Sequence, residues 1–300
     1  MPTTYQAGPS FYELQESWAQ IPAGHDFKQV AGVAVDAEDN VYIYNRGDHK
    51  LAVFDRDGVF MSSWEYTADT PHGICISGGE TQNSQSVFLA DCDTHIVTKH
   101  SIQGALQLTL GSENNPSDTG KINNFLVERT GAPFNRPTGV AIASTGDIFV
   151  SDGYANCRVH KFDPQGNLIA SWGVPGKVAP LEFHCPHGIA IDSHDRVLVC
   201  DRENDRIQVL DQEGNFLAMW TGFLQPCSVV NADDLVFVAE LQHRVSVVDL
   251  DGRIVARWGG LASKDPGLFL APHTVAVDSH GDVYIGEVLE GQRVQKFVKK

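Results

Sequence analysis

Residues 136–173, RPTGVAIASTGDIFVSDGYANCRVHKFDPQGNLIASWG, decide the fold, because almost the same order of events recurs at 185–222, CPHGIAIDSHDRVLVCDRENDRIQVLDQEGNFLAMWTG. A Pro-x-Gly turn opens each copy. A short apolar strand follows, then a second strand ending at Asp152 or Asp201. A third ends at Phe162-Asp163 or Leu210-Asp211, and a fourth ends near Trp172 or Trp220. Runs such as Ile148-Phe149-Val150 and Val197-Leu198-Val199 are β-branched or aromatic and stop at turn residues, as strands do. Asp57-Gly58, Gln165-Gly166, Glu213-Gly214 and Asp251-Gly252 mark one hairpin in four copies, where glycine accepts a positive φ.

Working outward, further copies run at 225–260, 30–64 and, more diverged, 71–111, and a last one at 271–297 stops after its third strand. Six units spaced by about 40 residues predict a single all-β domain, a six-bladed β-propeller with four strands per blade. The missing fourth strand is expected from residues 11–19, whose Trp18 matches the tryptophans that end other copies. The N-terminus would then close the ring and remove its open edges. Residues 112–135 fall outside the pattern and read as a loop, with the capacity to act as a lid.

The chain has 300 residues and a net charge of -16, from 38 acidic and 22 basic side chains. That balance counts against nucleic acid and anionic membrane as partners, since both need a basic face. The first residues lack the basic and apolar regions of a secretory signal. Cys75, Cys92, Cys157, Cys185, Cys200 and Cys227 have no metal-type spacing and several lie in strand-like runs. They read as buried reduced thiols, and the expected location is cytoplasmic.

Aligning the starts of the six units puts Ala31, His72, Thr138, His187, Cys227 and His273 at one position. The three histidines fall in the second, fourth and sixth blades, which a closed ring sets about 120° apart. A single Pro-His would be no more than a turn. Three at equivalent positions around a central channel converge on one axial point. This suits a metal with three protein ligands and an open position, zinc or another divalent transition metal such as iron(II).

The turn after the second strand gives another aligned set: Arg46, Cys92, Gly153, Arg202, Glu240 and Glu287, with Tyr154 following Gly153. Two arginines beside a metal would hold a carboxylate bidentately. A tyrosine near a cation could lose its proton more easily and serve as a base. The remaining histidines, His184 among them, show no such register and read as surface or turn residues.

Tyr44-Asn45-Arg46-Gly47-Asp48-His49, Pro71-His72-Gly73, Ser151-Asp152-Gly153-Tyr154, Pro186-His187, Asp201-Arg202-Glu203-Asn204 and Pro272-His273 resemble, in order along the propeller of NHL-type repeats, the segments of peptidyl-α-hydroxyglycine α-amidating lyase. The resemblance implies zinc on His72, His187 and His273, Tyr154 as catalytic base, and Arg46 and Arg202 as the active-site arginines. It implies a lyase reaction that splits a carbinolamide into an amide and an aldehyde acid. The substrate would be a small molecule or short peptidyl compound carrying a carboxylate. That family also holds a structural calcium through an Asp and two backbone carbonyls, which map to Val33 and Ile74. Thr274 stands in place of the Asp, which counts against Ca2+ here. Ala155 stands where disulfide-bonded members have a cysteine.

Two other classes use the same scaffold: a metal-dependent hydrolase of lactones, and a non-catalytic NHL interaction module. A carboxylate-rich axis would favour the hydrolase and a basic face the module. Three of the six axial positions here are histidine, none is a carboxylate, and the chain is acidic.

Overall fold

In the computed structural model, which describes residues 4–79, 81–122 and 125–300, six antiparallel sheets of four or more strands stand around a central channel. Their innermost strands are Val30–Val35, Pro71–Gly78, Gly139–Ile142, Pro186–Ile191, Pro226–Ala232 and Pro272–Val277, in blades 1 to 6. Among the described residues the helical structure consists of two short 3-10 turns, Gln82–Ser84 and Arg202–Asn204, so no helix is long and apolar enough to cross a membrane.

The second strand of each blade explains why both faces of a sheet are apolar. In Val197–Asp201 every residue is buried. Successive side chains point to opposite faces. Val197 and Val199 therefore pack with Phe149 and Val159 of blade 3, while Leu198 and Cys200 pack with Val236 and Val238 of blade 5. Each fully buried Val or Leu contributes about 1.5–3 kcal/mol. Six such cores lie between neighbouring blades, including one between blade 6 and blade 1 built on Trp18, Phe54 and Tyr284.

The hairpin glycines also join blades. Gly214 has φ 83°, and a Cβ there would lie 2.1 Å from the Trp172 indole of the preceding blade. Gly252 has φ 81° and stands in the same relation to Trp220. At Gly58 of blade 1 the neighbour is Trp18, which approaches through its backbone carbonyl first and its indole second.

The ring closes between the termini. Strand Ser10–Gln15 pairs antiparallel with Val294–Lys299, from Tyr12 opposite Lys299 to Gln15 opposite Lys296. The closing strand thus ends before residues 16–19, and Trp18 follows it. A further strand, Thr4–Ala7, pairs with it and gives blade 6 five strands. The described part of 112–135 contains no strand, and Phe134 from it is buried in the core between blades 2 and 3. All six cysteines are free thiols, five of them buried.

Candidate metal centre

The innermost strands carry the axial residues, and the irregular pairing at their start aims them. In blade 4 the register shifts between Pro186 and Ile189, and in blades 2 and 6 between Pro71 and Ile74 and between Pro272 and Thr274. Bulges of this kind re-aim a side chain. Here they bring His72, His187 and His273 together on the axis, with ring centroids 4.6–4.8 Å apart. One nitrogen of each lies within 4.8 Å of the others, and the three side chains are buried.

The tautomers follow from the second nitrogen. Nδ1 of His72 lies 2.6 Å from the Thr138 carbonyl, Nδ1 of His187 2.7 Å from that of Cys227, and Nδ1 of His273 2.9 Å from that of Ala31. A carbonyl can only accept, so each Nδ1–H donates and each Nε2 keeps a lone pair. Burial holds all three rings neutral. It pushes His72 and His187 well below the ordinary histidine value and His273 down to about 3; Arg202 acts in the same direction on all three, and Arg46 on His72 and His273. Three neutral imidazoles, each oriented by a backbone acceptor, make a donor set suited to a divalent transition metal.

Tyr154 lies beside this set. Its hydroxyl is 2.9 Å from His72 Nε2 and 3.2 Å from His187 Nε2, and Arg202 Nη1 donates to it at 3.4 Å. Burial raises the phenol above its usual value, while Arg202 and Arg46 pull it down. Arg202 is itself buried, with Nε on Glu203 Oε1 at 2.8 Å. Arg46 donates from Nε to the Pro71 carbonyl at 3.3 Å and from Nη1 to Gln29 Oε1 at 2.5 Å. Among the described residues no carboxylate lies within ion-pair distance of Arg46.

Glu240 and Glu287 do not belong to this group. They end their second strands and pair with Pro226 and Pro272, as Asp201 pairs with Pro186 and Asn45 with Val30. Their counterparts are therefore Asp201 and Asn45, and Leu241 and Val288 stand where Arg202 and Arg46 do. The acids brace their own blade. Asp201 accepts the His184 N–H at 2.8 Å and pairs with Arg206. Glu240 accepts the Leu224 N–H and pairs with Arg244, and Glu287 accepts the Leu270 N–H and pairs with Arg293. Cys92 also serves structure, with its thiol 3.1 Å from the Pro137 carbonyl.

Beside Thr274, its Oγ1 accepts the Val33 N–H at 3.0 Å, and Ile74 lies on the adjacent innermost strand. Of the histidines read as surface or turn residues, His100 and His160 are buried within strands whose alternate faces meet a neighbouring blade.

Two site neighbours were missed in the sequence. Phe125, from the 112–135 segment, has its ring 5.0 Å from Tyr154 and 4.6 Å from the Arg202 guanidinium. Arg136 stands 5.5 Å from the Tyr154 ring and pairs with Asp93 at 2.8 Å. Arg136 opens the third repeat copy, and its place before Pro137 was the available signal.

The NHL repeat family matches residues 134–162 and 183–210. NHL repeat-containing protein 3 of Homo sapiens is 35% identical over 313 residues, covering 96% of this chain and 84% of that protein. Peptidyl-alpha-hydroxyglycine alpha-amidating lyase 1 of Drosophila melanogaster is 31% identical over 259 residues, covering 77% of this chain but 44% of that protein. Among solved structures, a streptogramin B lyase superposes with a TM-score of 0.65 at 15% identity, over 98% of this chain and 100% of the other, a likeness of fold alone. A six-bladed propeller with these repeats and this extent of similarity belongs to the family of NHL repeat-containing protein 3.

Proposed function

We propose that this chain is a metal-dependent carbon–nitrogen lyase. Its substrate is an N-acyl or peptidyl α-hydroxyglycine-like carbinolamide, and its products are an amide and glyoxylate or a related aldehyde acid. The observation that carries the reading is the Tyr154 hydroxyl, set between the Nε2 atoms of His72 and His187 and touched by Arg202. The similarity to the Drosophila amidating lyase supports it.

His72, His187 and His273 would hold zinc or iron(II), which supplies Lewis acidity to the substrate hydroxyl. Arg46, with no acidic partner among the described residues, holds the substrate carboxylate. Burial works against ionisation of Tyr154, and Arg202 and Arg46 work for it. Tyr154 as phenolate takes the proton of the carbinol hydroxyl. The carbon–oxygen bond becomes a carbonyl as the carbon–nitrogen bond breaks, and the electron pair leaves on the amide nitrogen. That nitrogen takes a proton, which Tyr154 can return. The buried setting excludes water from the step.

α-Hydroxyhippurate tests the reading. Metal-loaded protein should release benzamide and glyoxylate in equal amounts. Absence of both from every carbinolamide tried, with about one transition metal per chain present, would refute it.

A further inference from the structure

A second cavity, of about 210 Å³, lies against the site and is lined by Phe125, Leu126, Val127, Cys157, Phe183 and His184. Phe125 is a wall common to both: the ring that bounds this cavity also stacks near Tyr154 and Arg202. The floor is core, since Val127, Cys157 and Phe183 belong to the apolar cluster between blades 3 and 4.

The outer edge is built rather than loose. Val174–Pro175 pairs with Glu182–Phe183 in a two-stranded ribbon. Glu182 Oε2 gathers the N–H groups of Lys177, Val178 and Ala179 at 2.8–3.1 Å and so fixes the turn between the two strands. Leu126 in the wall is 41% exposed, and Val174 and Val178, which flank the lining residues 175–177, are 50% and 84% exposed.

His184 gives the cavity its chemistry. Both its ring nitrogens are buried and neither meets a partner among the described residues. A buried polar atom without a partner is costly, and one end of a neutral imidazole donates while the other accepts. The backbone on either side is engaged, with the His184 N–H on Asp201 and the carbonyl taken by Glu203 N–H. The ring is therefore held in place without being used.

We propose that this cavity is the subsite for the acyl part of the substrate. It takes an apolar acyl group larger than acetyl, such as an aromatic one, with His184 hydrogen-bonded to a polar atom of the bound acyl-amide. The proposal deepens the lyase reading and rests on it in taking the ligand to be an N-acyl α-amino acid derivative. Phe125 would then separate the part of the ligand that reacts from the part that is recognised.

The test uses two unreactive probes, hippurate and N-acetylglycine, titrated into the metal-loaded protein by calorimetry. They share the carboxylate and the amide and differ in the acyl group. Hippurate should bind at least about tenfold more tightly, the scale expected when several apolar atoms enter a pocket. Leu126→Ser should reduce that ratio several-fold, and His184→Ala should weaken both probes several-fold because both carry the amide, with metal content and far-UV circular dichroism showing that both variants are folded and loaded. Equal affinities in the unsubstituted protein would overturn the subsite, as would a ratio that Leu126→Ser leaves unchanged or affinities that His184→Ala leaves unchanged. The two readings fail separately. Turnover of carbinolamides without a benzoyl preference removes the subsite alone. A preference that Leu126→Ser reduces, without turnover of any carbinolamide, supports the subsite and removes the lyase.

Discussion

In blades 2, 4 and 6 the axial position sends an imidazole to the channel, while in blades 1, 3 and 5 the same position offers its backbone. His72, His187 and His273 each donate Nδ1–H to the carbonyl of the next blade's axial residue: Thr138, Cys227 and Ala31 respectively. A sixfold repeat has become threefold, with ligands and their supports alternating. The odd blades need no particular side chain for this, so Ala, Thr and Cys are all accommodated. The even blades need histidine, because an imidazole offers an N–H donor on one side and a metal-ligating nitrogen lone pair on the other.

Removing an even-blade ligand should have the largest effect. His187→Ala is expected to lose the metal and to lower glyoxylate release at least about a thousandfold, since the ion supplies several kcal/mol of stabilisation. Elemental analysis alongside the assay checks both. Tyr154→Phe should lower kcat by about a hundredfold or more while the metal stays bound, the range for a general base.

The alternation also predicts an acid limit for metal-free protein. The three histidines have folded values below the ordinary 6.5, and His273 is at about 3. Below pH 6.5 the unfolded chain therefore binds protons that the folded chain refuses. Stability should be full above that pH and fall as pH drops toward 3, by about 1.4 kcal/mol per unit for each histidine titrating. Urea melts across that range would detect it, and a flat profile would mean that the rings are not held neutral.

Smaller changes probe the supports. Ser151 Oγ donates to the His187 carbonyl at 2.5 Å and receives the Thr138 hydroxyl at 3.2 Å. Ser151→Ala should weaken metal binding by about tenfold, as loss of outer supports does. Cys227→Ala should keep the metal, because the odd blade contributes its carbonyl, and should shift stability by only about 1 kcal/mol. Loss of metal in Cys227→Ala would break the comparison between odd and even blades.

The fold was legible because each blade repeats its own local signals. The alternation of histidines was legible too, as a register needs only the turn that opens each strand. Glu240 and Glu287 were misplaced by one position because length differences at the second-strand turn hide which residue ends the strand, and pairing with Pro226 and Pro272 settles it. Phe125 left no signal, since its partners Tyr154 and Arg202 lie 29 and 77 residues away in sequence and sit on blades 3 and 4. His184 lacks a register with other blades, and its unpartnered ring is a property of its surroundings.

By itself the sequence determined six blades, closure by the N-terminal segment, and one histidine at the mouth of every second blade. Strand period, turn residues and repeat length are local, and symmetry carries them around the ring. Only the tertiary structure decided which carbonyl orients each imidazole, that Tyr154 lies between two of them, and that Phe125 divides the axial site from a second cavity. Those contacts join residues far apart in the chain, and the packing of one blade on the next fixes them.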